Sequence, residues 1–479
     1  MASVNASALN ALYGEGSTAE SMLWQVWEHF AYMFYLVPWW SMETDPSQIN
    51  SLKYTARSTA TFFALIFVEL VVSILKGVKL YRFEDMTTSS TLGVVSMFVV
   101  AFTKILQVST FVWIWENFHV VDITPGTPLD WVLCLLAADF CYYWLHRHHH
   151  EYHLFWWGHS VHHSGEDYNL STALRQGIIQ GIFGWVYTLP MALFLHPISA
   201  LAHKQLNTLF QFWIHTPFIG RLGFLENFLN TPSHHRMHHR PPGNCNYAGV
   251  LIIWDRMFGT FVQEDVQKDY YGLAKPYTSH DPVWANVEHP WRLIANVDPN
   301  KERSASFFFS LLTKKRVKHK WVFNPLVLFQ NLKEPASDLW ELPKKPKREK
   351  LSTHISKSLY AYQVINFFFV MVVSVITLEI PNSAGSYLEI VLTQCLCALA
   401  CMSFGRLFDG NLRFQTVKVI TFLVVSYMLT TTQQSDRQKI AFDSYIPADV
   451  LFKISAADAL LWSLVLVGQS IKSAKQKAS

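Results

Sequence analysis

Long apolar blocks, separated by polar stretches rich in histidine or lysine, set the pattern of this chain. A helix needs about 20 mainly apolar residues to cross a bilayer core. Residues 58–77, 91–115 and 128–145 qualify, and the third runs straight into a histidine motif. The apolar region 177–216 is long enough for a bent pair. Pro190 and Pro197 are its break points, because proline cannot continue the helical hydrogen-bond ladder. Four more blocks follow at 359–380, 386–405, 415–432 and 449–471. The stretch 22–40 differs. Its aromatics are mixed with polar residues, which suits a helix lying at the membrane surface, where Trp and Tyr sit at the headgroup level.

Between these sets of blocks, residues 300–355 are basic and broken by proline, with KKRVKHK at 314–320 and PKKPKREK at 343–350. Like charges repel, so this region reads as a solvated linker; a patch that touches anionic lipid is the other reading. The positive-inside rule places it on the cytosolic face. The chain is therefore expected to divide into an N-terminal segment (1–57), a catalytic membrane part (58–300), the basic linker (301–355), and C-terminal helices with a tail (356–479). No internal repeat is visible. The N-terminus lacks a basic stretch followed by a short apolar run and a small-residue cleavage site, so an uncleaved membrane helix is expected to direct insertion.

Composition agrees with the blocks. Of 479 residues 51% are hydrophobic and only 15% are charged, against about 25% charged in an average soluble protein. The expected fold class is all-α, a polytopic integral membrane protein. The net charge of +4 is small and no compact basic patch with interleaved aromatics is visible, so no nucleic acid is expected as a partner. Of the six cysteines, five lie in apolar segments and none forms a CxxC pair. They read as buried small hydrophobes rather than a disulfide framework or a thiolate zinc site.

The chemistry lies in the histidines. Eight of the 21 fall within HRHHHEYHLFWWGHSVHHS, residues 146–164. His146 and His150 form HxxxH, and residues at i and i+4 share a helix face. His159, His162 and His163 form HxxHH, whose three rings are expected to point one way. His235, His238 and His239 repeat that spacing within SHHRMHH. Eight imidazoles exceed the need of one tetrahedral zinc; they suit two ions with about four nitrogens each and positions left for a small molecule such as O₂. A disordered, metal-buffering histidine tract would lack this fixed spacing. It would also lack the large aromatics Tyr143, Trp144, Tyr152, Phe155, Trp156 and Trp157 that alternate with these residues. His215 ends an apolar segment, where a polar ring is costly, and is expected to be a ninth ligand. His148, His149, His153 and His234 fall between motif positions and read as surface residues or supports. Ligating histidines normally donate their other ring N–H to a carboxylate or carbonyl. Asp139, seven residues before His146 on the same helix, and Glu151, Glu166, Asp167 and Asp255 are the candidate supports.

The run HRxxH, HxxHHS and SHHxxHH, followed by NYAGVLIIWDRMFGTF at 246–261, resembles the fatty acid hydroxylase and sterol desaturase superfamily of membrane di-iron enzymes. The resemblance covers about residues 60–275. Ala248 stands where a glycine is usual, and the HRHHH run has extra histidines; neither removes a motif position. DFCYYWLHR (139–147), GEDYNLSTALRQ (165–176) and LNTPSHHRMHH (229–239) are similar to the branch that cleaves ether lipids. That resemblance implies two iron ions, held at the cytosolic ends of the membrane helices, that use O₂ to hydroxylate the ether-bearing carbon of an alkylglycerol. The hemiacetal then collapses to a fatty aldehyde and a glycerol derivative. It implies tetrahydrobiopterin as reductant, the endoplasmic reticulum as location, and an important role for the glutamate after HxxxH, Glu151. Asp139 is expected beside it in the catalytic shell. An unactivated C–H bond demands a redox metal, which zinc is not. Lys475 and Lys477 in the final KQKAS stand at the spacing of a KxKxx retrieval signal, although an ordinary basic tail has the same look. Two rivals remain. One is a sterol or sphingolipid hydroxylase or desaturase fed by cytochrome b5. The other is a histidine-rich metal transporter, which would place ionisable ligands mid-span in several helices.

Overall fold

A computed structural model describes residues 27–52, 54–264 and 270–295, most of 350–367 and 397–410, and a few isolated positions elsewhere. Nearly all of the basic linker, the blocks at 415–432 and 449–471, and the KQKAS tail lie outside the described residues. The described residues are helical, with no strand and one isolated antiparallel bridge, Leu229 to Leu251. The chain divides into two compact units: residues 17–277 with 285–350, and residues 1–16 with 278–284 and 351–479.

The larger unit is built on helices α1 (Thr59–Leu75), α2 (Phe83–Phe118) and α3 (Pro128–Glu151), followed by α4 (His153–His162), α5 (Ile178–Phe183), α6 (Pro197–Trp213), α7 (Pro232–His239) and α8 (Ile253–Met257). Helix α3 is long and apolar enough to cross a membrane. The two parts of α2, 83–97 and 102–118, meet at a 48° bend and would together make a second span; α1 and 178–193 are shorter apolar helices. Large apolar side chains point outward from these helices, among them Phe67 and Ile74 on α1, Phe102 and Ile105 on α2, and Leu129 on α3. The expected bent pair in 177–216 takes the form of α5, a 3-10 turn (Gly184–Leu193) that contains Pro190, and α6, which starts at Pro197. Proline at that first position costs no hydrogen bond, because the N–H it lacks would have no helical partner.

Helix α2 begins at Phe83, eight residues before the expected start. The added turns are polar, yet Glu84, Asp85, Thr87, Thr88, Ser89, Ser90 and Thr91 are all buried. Thr87 and Thr88 return their hydroxyls to the carbonyls of Phe83 and Glu84, and Asp85 pairs with the buried guanidinium of Arg175 at 3.1 Å. These partners compensate the desolvation of groups that hydropathy alone assigns to water. Below them an apolar cluster of Phe111, Cys134, Ala138, Met191, Ala192, Leu195 and Ala200 joins α2, α3, the 3-10 turn and α6. Ser199 donates to Asp130 at 2.7 Å and Asn207 to Asp139 at 2.8 Å, so polar rungs also tie α6 to α3. Cys134, Cys245 and Cys397 are buried.

In the smaller unit, Phe404, Leu407 and Phe408 are buried on one helical stretch. A side chain at Gly405 would come within 2.3 Å of the His280 carbonyl, and Arg406 pairs with Asp281 at 2.6 Å.

Candidate metal centre

The motifs sit where helices end. Helix α3 carries His146 and His150 in its last turns. At Tyr152 the backbone becomes extended, and α4 leaves in a new direction with His159 and His162, capped by His163. His215 follows the end of α6. Helix α7 starts at Pro232, closed by reciprocal hydrogen bonds between Thr231 and His234, and carries His235, His238 and His239. All nine of these histidines are buried.

The structure brings the nine together in two groups. His146, His150, His159, His163 and His238 form one, and His162, His215, His235 and His239 form the other. Within each group the ligand-capable atoms all lie within 4.8 Å of one another. The expectation that each HxxHH points three rings one way is corrected. His159 and His163 face the first group while His162 faces the second; His235 and His239 face the second while His238 faces the first. Successive helical residues are rotated by about 100°, so i+3 and i+4 fall on opposite sides of position i. Two adjacent groups use that divergence.

Ring-nitrogen partners fix the tautomers. Nδ1 of His146 lies 2.8 Å from the Tyr247 carbonyl, that of His162 3.0 Å from Arg175 O, that of His215 2.7 Å from Gln211 O, and that of His238 2.7 Å from Cys245 O. Nδ1 of His159 lies 3.1 Å from Gln180 Oε1. All five partners are pure acceptors, so each Nδ1 carries the proton and each Nε2 presents a lone pair. Yet the Nε2 atoms converge: His146 and His159 at 2.9 Å, His162 and His215 at 3.3 Å, His235 and His215 at 2.9 Å. His238 Nε2 is buried with no hydrogen-bond partner. Protonation would relieve these lone-pair contacts, but burial pushes His159, His163, His235 and His239 well below the usual imidazole range, and the neighbouring imidazoles push them further. Burial takes His162 down to about 4 and His238 to about 3. Neutral, pre-oriented, converging nitrogens are the donor set of a metal ion.

Carboxylates do not play the expected part. The ring N–H groups of four histidines go to main-chain carbonyls instead. Asp139 accepts from the amides of Val250 (2.8 Å) and Leu251 (2.7 Å), from Trp254 Nε1 (3.0 Å) and from Asn207, so it clamps the loop that follows α7 rather than a ligand ring. Asp255 accepts from the amides of Tyr247 and Ala248 at 2.7 and 2.8 Å and from Thr260 Oγ1 at 2.6 Å, and burial pushes its carboxyl up to about 6. Because Tyr247 O holds His146, Asp255 acts on that ring at one remove. Glu166 and Asp167 pair with Arg82, and Lys350 also pairs with Asp167. Glu151 accepts from Arg147 Nε at 2.9 Å, both fully buried, and Arg147 Nη1 reaches Tyr143 OH at 3.0 Å. His148, His149, His153 and His234 belong to neither group. His149 and His234 are nevertheless buried, not surface residues. Gln180 lies outside every motif of the sequence; Tyr247, Asp255 and Thr260 lie within the quoted run at 246–261.

The Asp139 clamp gives a prediction. Asp139→Asn keeps the size but turns one acceptor into a donor that faces a buried amide, so unfolding stability should fall by about 1–3 kcal/mol. Denaturant unfolding of the detergent-solubilised protein measures it, and an unchanged midpoint would contradict the clamp.

The helical scaffold folds its histidine motifs into two adjacent buried groups, and the family model described as fatty acid hydroxylase matches the residues that carry them, 131–260. Within that class the chain belongs to the alkylglycerol monooxygenase family. It is 36% identical over 381 residues to the alkylglycerol monooxygenase of Homo sapiens, covering 78% of this chain and 82% of the relative. It is 43% identical over 262 residues to that of Xenopus tropicalis (54% and 58%), and 28% identical over 390 residues to that of Caenorhabditis elegans (78% and 76%). No solved structure matches the chain at a significant level.

Proposed function

We propose that the chain is an iron-dependent monooxygenase that hydroxylates the ether-bearing carbon of alkylglycerols. The observation that carries the metal half is the convergence of neutral Nε2 atoms in two buried groups. The substrate half rests on the named relatives. In the five-histidine group His146, His150, His159, His163 and His238 would hold one iron; His162, His215, His235 and His239 would hold the other. The bound irons supply the redox activation of O₂. The chain's own residues keep the imidazoles neutral, exclude water by burial and fix five of the nine rings, those of His146, His159, His162, His215 and His238, against a carbonyl or amide oxygen. One oxygen atom enters the substrate C–H bond, two electrons from the reductant and two protons convert the other to water, and the hemiacetal breaks its C–O bond to give a fatty aldehyde and a glycerol derivative.

Tetrahydrobiopterin is the proposed reductant, by resemblance. Apolar side chains facing outward on α1 to α3 support a multi-pass membrane setting, from which an alkyl chain reaches the centre laterally. The basic linker and tail support an endoplasmic reticulum location with the histidines on the cytosolic side. Glu151 and Asp139 are assigned to the catalytic shell as supports: one braces the end of α3, the other the loop that reaches His146. The sterol desaturase reading is weaker, since such a relative from Aspergillus fumigatus is 27% identical over 190 residues, 38% of this chain.

Membranes containing the protein should release fatty aldehyde from an alkylglycerol only with tetrahydrobiopterin, and a His162→Ala control should release none. Turnover supported by cytochrome b5 and not by pterin would favour the desaturase-like reading. Iron-loaded protein that yields no aldehyde would overturn the substrate assignment.

A further inference from the structure

Among the five histidines whose Nδ1 partner is given above, four lean on the main chain and one, His159, on a side chain. That ring is also the hub of its group: its Nε2 lies 2.9 Å from His146 Nε2 and 3.1 Å from His163 Nε2, and its ring stands 4.8 Å from that of His150. The backbone is shaped to bring the amide there. A side chain at Gly177 would sit 2.0 Å from the Gly158 carbonyl, and one at Gly158 would sit 2.7 Å from the Gln180 amide nitrogen. Two facing glycines therefore let the start of α5 lie against α4 at the residue next to His159. Asn286 Oδ1 accepts the first free amide of α5, Ile178 N, at 2.9 Å, which anchors the turn that carries Gln180.

We propose that Gln180 is a positioning residue for the five-histidine pocket: its Oε1 holds His159 in the tautomer that turns the Nε2 lone pair toward a metal ion. The inference rests on the iron reading above and goes beyond it. It assigns the orientation of one ligand to a side chain from a different helix, outside every histidine motif. An imidazole without such a partner can exchange tautomers and rotate, and loss of an outer hydrogen bond of this kind weakens metal binding by about 10- to 100-fold. A carboxylate at the same place keeps the acceptor and makes the ring a stronger electron donor.

The test is Fe(II) binding and Mössbauer spectroscopy on the full-length detergent-solubilised chain and on Gln180→Leu and Gln180→Glu. Gln180→Leu should bind one of two irons about 10- to 100-fold more weakly and change one of two iron signals. Gln180→Glu should restore the affinity and shift that same signal. Two irons bound by Gln180→Leu with unchanged affinity and spectrum would overturn the proposal. If Gln180→Leu does not fold, Gln180→Glu decides alone: a shift confined to one iron supports positioning, and an unchanged spectrum overturns it. An unsubstituted chain that takes up no iron would instead overturn the metal reading on which the proposal stands.

Discussion

Replacing His215 by alanine should abolish aldehyde release while leaving the chain folded. His215 is set apart from the HxxHH motifs, yet the structure places it in the smaller group with His162, His235 and His239. Four imidazoles leave no surplus: removing one leaves three donors. Its Nε2 is also the shared neighbour, 2.9 Å from His235 and 3.3 Å from His162. Outer-shell changes already cost up to about 100-fold in activity or affinity, so losing a ligand should cost more than about 100-fold. Iron content should fall by one ion per chain, and the spectrum of the remaining ion should persist. Near-normal turnover with both irons retained would show that His215 is a satisfied core histidine.

The second large effect concerns stability. Arg147 and Glu151 form an ion pair at 2.9 Å with neither side chain exposed. Burying two charges pays a desolvation penalty that the pair itself roughly repays, but removing one partner leaves the other charge in a low-dielectric interior. Glu151→Ala should therefore cost about 3–5 kcal/mol in denaturant unfolding. Glu151→Gln, which retains an acceptor for the guanidinium, should cost less. The same arginine reaches Tyr143 OH, which contacts Thr260, which donates to Asp255, which holds the Tyr247 amide. Loss of Glu151 is thus expected to reach His146 through Tyr247 O, and iron affinity should fall with stability. A stability change under 1 kcal/mol would mean that Arg147 is compensated elsewhere.

The sequence made the helices and the histidine cluster legible for clear reasons. Apolar length announces α1 and α3, and imidazoles spaced by three and four residues announce a shared purpose. What stayed hidden depends on the third dimension. The first turns of α2 look soluble because threonine and aspartate read as polar, whereas their partners, Arg175 and preceding carbonyls, appear only after folding. The supports of His146, His162, His215 and His238 are backbone oxygens, which any residue supplies, so no residue type could announce them. Asp139 looked like a ligand support because it lies two turns from His146; its oxygens instead meet amides some 110 residues later in the chain. The split of each HxxHH between two groups follows from helical rotation, but only once a second group stands beside the first.

That split has an evolutionary edge. Helices α4 and α7 each deliver donors to both sides of the centre, so a single inserted or deleted residue within 159–163 or 235–239 would rotate every later ring by about 100° and hand it to the wrong neighbour. Length variation between descendants of this chain should therefore gather in the turns outside these two short helices, and the spacing inside them should behave as a reading frame.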